Sequence, residues 1–190
     1  MKKKITITII CAVLSCVCLI GTTFAWLMDK TDPITNTFTV GDINITLEET
    51  KGTEITGARQ FKMLPGNDIE KDPTVTVEAG SEACWLFVKI DKSANFGTYM
   101  TYTVDTTAGN WTLYSETTTE VVYYREVAAT DIDLPFEIIK GNKVTVLSSV
   151  TKDMLEAAKT NAPTITFTAY AVQRDSNVDT AAEAWTIANS

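Results

Sequence analysis

The sequence predicts an all-β protein, an antiparallel β-sandwich of jelly-roll type with one or two short helices. Three features of its 190 residues carry that expectation. Threonine supplies roughly one residue in six after Ala25, a frequency suited to pleated, half-buried surfaces. Apolar side chains recur at every second position, whereas an amphipathic helix repeats them at every third or fourth. Turn signals of Gly, Pro, Asn and Asp cut the chain into about nine short segments, and many short strands with few helices favour a layered antiparallel arrangement with Greek-key or jelly-roll connections.

The elements follow in chain order. Lys2, Lys3 and Lys4 precede an apolar run from Ile5 to Ile20, and Gly21-Thr22-Thr23-Phe24-Ala25 then places small residues at a peptidase site. Residues 1–25 therefore read as a signal peptide cut between Ala25 and Trp26. Two alternatives stay open. Apolar character continues through Trp26, Leu27 and Met28, long enough for an uncleaved membrane anchor, and Val13-Leu14-Ser15-Cys16 loosely fits a lipobox. Residues 26–40 form a separate N-terminal segment, and residues 41–190 the β-domain. In that domain Ile43, Ile45 and Leu47 alternate with polar neighbours after Gly41-Asp42, extending a strand over residues 38–47. Val75 and Val77 do the same after Pro73. Residues 84–90 are apolar on both faces apart from Lys89, so they are expected to form the central strand. Further strands are expected over residues 99–104, 111–114, 121–124, 136–139, 143–147 and 165–172. Thr151 can cap a helix over residues 152–159, and Asp179 or Thr180 another over residues 181–185.

Composition excludes several chemistries. The chain has no histidine, which removes imidazole-based nucleophilic triads, the usual zinc-protease helix and any imidazole pH switch. Its formal charge is −8, which becomes −11 once Lys2, Lys3 and Lys4 are set aside, so nucleic acid is not an expected partner. Contact with a membrane is expected only through an uncleaved leader. Of four cysteines, Cys11, Cys16 and Cys18 lie in the leader. Cys84 is left alone within the central strand, where a buried, inert thiol is expected and no internal disulfide can form. No cofactor and no catalytic residue is expected.

Several polar and aromatic groups need weighing. Asp175-Ser176-Asn177-Val178-Asp179 opens like a calcium loop but has Thr180 and Thr186 where glycine and glutamate belong. Asp68, Glu70 and Asp72, and the pair Asp131 and Asp133, are candidate cation ligands set against the plainer reading of wet surface loops. Glu48-Glu49 and Glu116 with Glu120 show no acid–base partner. Trp85, Phe87, Trp111, Tyr123 and Tyr124 are either a carbohydrate platform or core side chains.

Three stretches are more specific. Gly21-Thr22-Thr23-Phe24-Ala25-Trp26-Leu27-Met28-Asp29 leads into Asn36-Thr37-Phe38-Thr39-Val40-Gly41-Asp42-Ile43-Asn44-Ile45. Met63-Leu64-Pro65-Gly66-Asn67 continues to Val77, and the chain closes with Ala169-Tyr170-Ala171-Val172-Gln173 and Ala181-Ala182-Glu183-Ala184-Trp185. This pattern resembles the TasA/camelysin family of Gram-positive bacteria and its SipW-type signal peptide. The resemblance implies a jelly roll, a dedicated signal peptidase as partner, and a secreted structural role in the biofilm matrix or at the cell surface. It also implies fibres made by donation of an N-terminal strand between copies, with an accessory matrix protein as a further partner. Trp26, Leu27, Ile34, Phe38 and Val40 are the expected apolar anchors of that donated strand, which can satisfy its backbone on a neighbour's sheet edge. The alternatives are that residues 26–40 form an ordinary first strand of their own sandwich, or that the protein is a camelysin-like surface protein with adhesion, binding or metalloprotease activity.

Overall fold

The computed structural model describes residues 42–55, 58–175 and 177–190. The strands among these are β1 (Ile45–Glu48), β2 (Thr53–Ile55), β3 (Ala58–Gln60), β4 (Asp68–Glu70), β5 (Thr74–Val77), β6 (Cys84–Lys92), β7 (Met100–Thr101), β8 (Thr112–Glu116), β9 (Glu120–Val127), β10 (Pro135–Glu137), β11 (Lys143–Val146) and β12 (Ile165–Gln173). Three short helices join them, α1 (Phe96–Tyr99), α2 (Lys152–Ala158) and α3 (Ala181–Ala188).

The doubly apolar segment becomes the centre of the main sheet, whose order is β12-β6-β9-β8. Alternation along β6 sends Cys84, Leu86, Val88 and Ile90 into one core, together with Val75 and Val77 of β5 and Phe136 of β10. These three β5 and β10 side chains belong to a second sheet, β1-β5-β10, so the two sheets face one another across a shared apolar layer. Trp85 and Phe87 point the other way, where α3 covers them with Ala184 and Trp185. The central strand is thus buried on both faces, as its composition required. A third sheet, β4-β11-β7, closes a separate cluster around Val144, Val146, Phe96 and Met100, with Ala158 of α2 packed against it. All ladders among the described residues are antiparallel. Three-, three- and four-stranded sheets make an antiparallel sandwich but do not by themselves spell a jelly-roll order.

Both helices expected from their caps are present. Thr151 accepts from the Met154 backbone at the start of α2, and Thr180 and Glu183 form a reciprocal capping box on α3. Leu64-Pro65-Gly66-Asn67 makes a tight turn, closed by the Asn67 N–H on the Leu64 carbonyl with Gly66 at φ +78°.

Several expectations need correction. The strand expected over residues 99–104 is interrupted: α1 takes residues 96–99, β7 keeps two residues, and Val104 makes only an isolated bridge to Ile139. Residues 42–44 are not strand, so β1 begins at Ile45; the expected residues 38–41 lie outside the described residues. β2, β3 and β4 were not expected. Asp68 and Glu70, read as loop carboxylates, sit in β4 because β11 offers them a ladder.

Candidate functional site: an open sheet edge and an apolar groove

The main sheet ends differently on its two sides. At one edge, β8 is short and its register on β9 shifts between Leu113 and Ser115, a bulge of the kind that blunts an edge. At the other, β12 pairs with β6 over nine consecutive residues without a shift. Ile165-Thr166-Phe167-Thr168-Ala169-Tyr170-Ala171-Val172-Gln173 contains no charge and no proline. Among the described residues no strand pairs with its outer side. Its inward side chains, Ile165, Phe167, Ala169 and Ala171, pack only partly buried against the inter-sheet core, beside Ile43 and Ile45 at the β1 edge of the second sheet. Their β6 partners Ile90, Val88 and Leu86 are wholly buried. The sandwich is therefore fully buried at its centre, while between β1 and β12 its two sheets meet through side chains that stay partly buried.

A groove of about 1080 Å³ adjoins this seam. One wall is the start of β12 with Ile165 and Phe167; another is the β2–β3 hairpin with Ile55 and Phe61 behind it; Leu47, Leu155, Met63 and Ile69 add to the apolar lining. Leu47 and Ile55 are 37 % and 46 % exposed, so the lining faces solvent rather than a finished core. The lining also holds four cations, Arg59, Lys62, Lys71 and Lys159, against Glu48, Glu49 and Glu54, on a chain whose overall charge is −8.

Lys71 is the unusual member. It is 6 % exposed, and its Nζ donates to Glu49 Oε1 at 2.6 Å. The ammonium also lies over the rings of Phe61 at 4.8 Å and Phe167 at 5.3 Å. The neighbouring Asp72 secures the hairpin base. Its carboxylate accepts from the Thr50 and Lys51 backbone N–H groups and the Thr50 hydroxyl. Burial pushes the Asp72 carboxyl up, but the Thr50 hydroxyl and the two N–H groups outweigh it, and the group titrates below the ordinary carboxylate range. Gly52, at φ +86°, allows Phe61 to close over the pair: a Cβ there would lie 2.7 Å from the ring.

Of the expected cation ligands, Asp68, Glu70, Asp72 and Asp175 have carboxylates engaged by the protein's own groups. Asp68 accepts from Lys143 and Thr145, Glu70 pairs with Lys51, and Asp72 holds the hairpin base. Asp175 closes a turn by accepting the Asn177 N–H, Asp131 sits in a 3-10 turn, and Asp133 adopts φ 68° with its N–H on the Val77 carbonyl. Glu120 lies 3.7 Å from Lys89. The aromatic residues do not form a platform. Trp85 and Phe87 are buried beneath α3, Trp111 is buried on the opposite side of the sheet, and Tyr123 and Tyr124 alternate between the two faces. Cys84 is fully buried, and desolvation pushes its thiol up to about 11, so it is inert at neutral pH. Ala25, Trp26, Leu27, Ile34, Phe38 and Val40 lie outside the described residues. Sequence reasoning missed Lys71, because a lysine between Glu70 and Asp72 looks solvated. It also missed Arg125, whose guanidinium stacks 3.9 Å from the Phe136 ring centroid.

The sheet architecture now bears on the comparison with known proteins. The family model described as camelysin metallo-endopeptidase matches residues 1–183. The chain belongs to this family. No curated protein and no solved structure gives a significant match. Membership in the camelysin family supports a place at the cell surface or outside the cell, and no helix among the described residues is long and apolar enough to cross a membrane. The family's name implies a catalytic metal, and the donors among the described residues do not fit one. Histidine is absent from the sequence, the Cys84 thiol is buried in the core, and no three Cys, Asp or Glu side chains converge among the described residues.

Proposed function

We propose that this camelysin-family chain is a secreted structural subunit of the extracellular matrix or cell surface, and that it polymerises when residues 26–40 of one copy add as a strand to the open side of the next. The observation that supports this most is the uninterrupted, uncharged edge of β12 with its inward side chains left half-buried. An incoming extended segment can complete the backbone ladder there and bury its own apolar side chains against Ile165, Phe167 and the groove. Each large side chain so buried is worth roughly 1.5 to 3 kcal/mol, and on one face of an extended strand Trp26, Ile34, Phe38 and Val40 supply four, with Leu27 on the other. Association costs about 4 to 15 kcal/mol, so this number of anchors is of the size needed. Donation from one copy to the next is heterologous and need not close, which gives filaments. Signal peptidase cleavage before Trp26 frees the segment, which couples assembly to export.

Electron microscopy of the mature secreted chain tests the reading. The intact chain is expected to form fibres and the chain lacking residues 26–40 to stay monomeric. Fibres of normal length from the shortened chain refute the proposal.

A further inference from the structure

A second cavity, of about 530 Å³, lies between residues 92–106 and the β8–β9 hairpin, within the range of about 300 to 1,000 Å³ that small-molecule sites occupy. Strand parity puts opposite charges on its two sides. Lys92 follows Ile90 on the inward face of β6, Ile90 pairs with Val121, and Val121 pairs with Glu116, so both charged side chains rise from one face of the sheet with β9 between them. Their strands are two spacings apart, about 10 Å. Tyr123 lines the cavity from β9, and Tyr102 lines it with its ring held edge-on by Phe96 at 5.9 Å and the Lys92 ammonium 5.8 Å from its centroid. These polar groups are unspent. Among the described residues none bonds the Lys92 ammonium, the Glu116 carboxylate or the Tyr102 and Tyr123 hydroxyls, yet none of the four is a buried orphan, so each reaches solvent in the cavity. Burial, then Tyr123 and Glu116, push the Tyr102 hydroxyl up, and burial and Glu116 do the same to Tyr123, so both phenols keep a proton to donate.

We propose that this cavity binds a neutral oligosaccharide, with Lys92 and the two phenols donating to its hydroxyl oxygens and Glu116 accepting from its hydroxyl groups. The chemistry disfavours the other ligand classes. An apolar ligand would leave four polar groups without partners. A polyanion meets Glu116 on a chain whose charge is −8, and a polycation meets Lys92. A single small ion leaves most of the volume unfilled and cannot reach from β6 to β8. A saccharide carries both a donor and acceptors on every hydroxyl along its length, which suits a cation on one side and a carboxylate on the other. Its C–H faces can rest on Val104 and Val121, the buried apolar floor, while the exposed Thr101, Thr103, Thr106 and Thr118 add hydroxyls around it. The cavity takes no residue from β12, so the site stands independently of strand addition.

Saturation-transfer NMR of the secreted chain with cellotriose, maltotriose and triacetylchitotriose tests the site, because the sugar signals are read whether the chain is monomeric or fibrous. At least one of the three sugars is expected to bind at millimolar concentration. Glu116→Gln and Lys92→Met should each weaken that binding about tenfold, and Tyr102→Phe several-fold. Glu116 is exposed, so Glu116→Gln should keep the wild-type urea midpoint, which separates loss of the ligand from loss of the fold. Glu156→Gln, on α2 and outside the cavity, should bind as wild type does. Absence of binding by all three sugars overturns the proposal. So does binding that Glu116→Gln and Lys92→Met leave unchanged, binding that Glu156→Gln weakens as much as they do, or equal affinity for the anionic trigalacturonate.

Discussion

Removing one partner of the Lys71–Glu49 pair should cost far more than removing both. The Lys71 ammonium and the Glu49 carboxylate are 2.6 Å apart, with side-chain exposures of 8 % and 19 %. At an effective dielectric near 20, two unit charges at that distance attract by roughly 6 kcal/mol, an upper figure from which the desolvation of both groups must be subtracted. Glu49→Leu leaves the ammonium with only the π faces of Phe61 and Phe167, and stranding a buried charge in this way costs about 3 to 5 kcal/mol. Because Glu49 is partly open to water, the lower end, about 3 kcal/mol, is expected. For a domain of this size that lowers Tm by roughly 6 to 12 °C. The double variant Glu49→Leu, Lys71→Met replaces both charges by side chains of similar volume and should lie within about 1 kcal/mol of wild type. Urea unfolding of the wild type, both singles and the double, followed by tryptophan fluorescence, gives the cycle directly. A Glu49→Leu cost below about 0.5 kcal/mol, or a double variant less stable than Glu49→Leu, would refute the view that Lys71 is a genuinely buried charge.

Three further outcomes follow from the same geometry. Leu86→Ala empties a fully buried position at the centre of the main sheet and should cost about 2.7 to 5 kcal/mol by chemical denaturation. Gly52→Ala places a methyl group 2.7 Å from the Phe61 ring at φ +86°, so amide exchange in residues 53–60 should accelerate while the β6 amides keep their protection. The Asp72 carboxyl titrates below its unfolded value, so its stabilising contribution is complete above the unfolded value near pH 4 and disappears as pH falls through the lower folded value. Urea midpoints between pH 6 and pH 2.5 should therefore fall less steeply in Asp72→Asn than in wild type, and equal slopes would rule out Asp72 as a contributor.

The parts of the fold written into local pattern were legible, and the parts created by tertiary partners were not. β6 could be read because a doubly apolar run leaves it no place except between two layers, and Trp85 and Phe87 found their cover in α3. The α2 and α3 boundaries could be read because Thr151 and Thr180 accept hydrogen bonds only a turn away. Asp68-Ile69-Glu70 could not be read as a strand, since a single apolar residue sets no period and the ladder to β11 supplies the cause. The β2–β3 hairpin is almost wholly exposed and carries no alternation, yet it forms a wall of the groove. Lys71 was invisible for the same reason: its burial is made by Phe61 and Phe167, which lie 10 residues before it and 96 after it in the chain. Arg125 shares the inward parity of Val121, Tyr123 and Val127, and that alternation was the available signal.

The two edges of the main sheet ask for different explanations. Secreted single domains that must stay apart protect both edges, because an unpaired, flat, uncharged strand is a template for any other chain. β8 shows that this sequence can do so, with its bulge, its short ladder and Glu116 at its end. β12 uses none of those devices over nine residues, although substituting a single inward-facing alanine by lysine would be enough to discourage pairing. A chain in which one edge is guarded and the other is left plain is directional. Under the proposed strand addition, β12 is the edge of the main sheet that offers a donated strand an unguarded ladder. If the proposed strand addition holds, Ala169→Lys on the inward face should abolish polymerisation while leaving the β6–β9–β8 ladder intact, whereas Ser115→Lys on the bulged edge should leave polymerisation unchanged. Fibres that survive the first substitution and vanish with the second would reverse the assignment of the two edges.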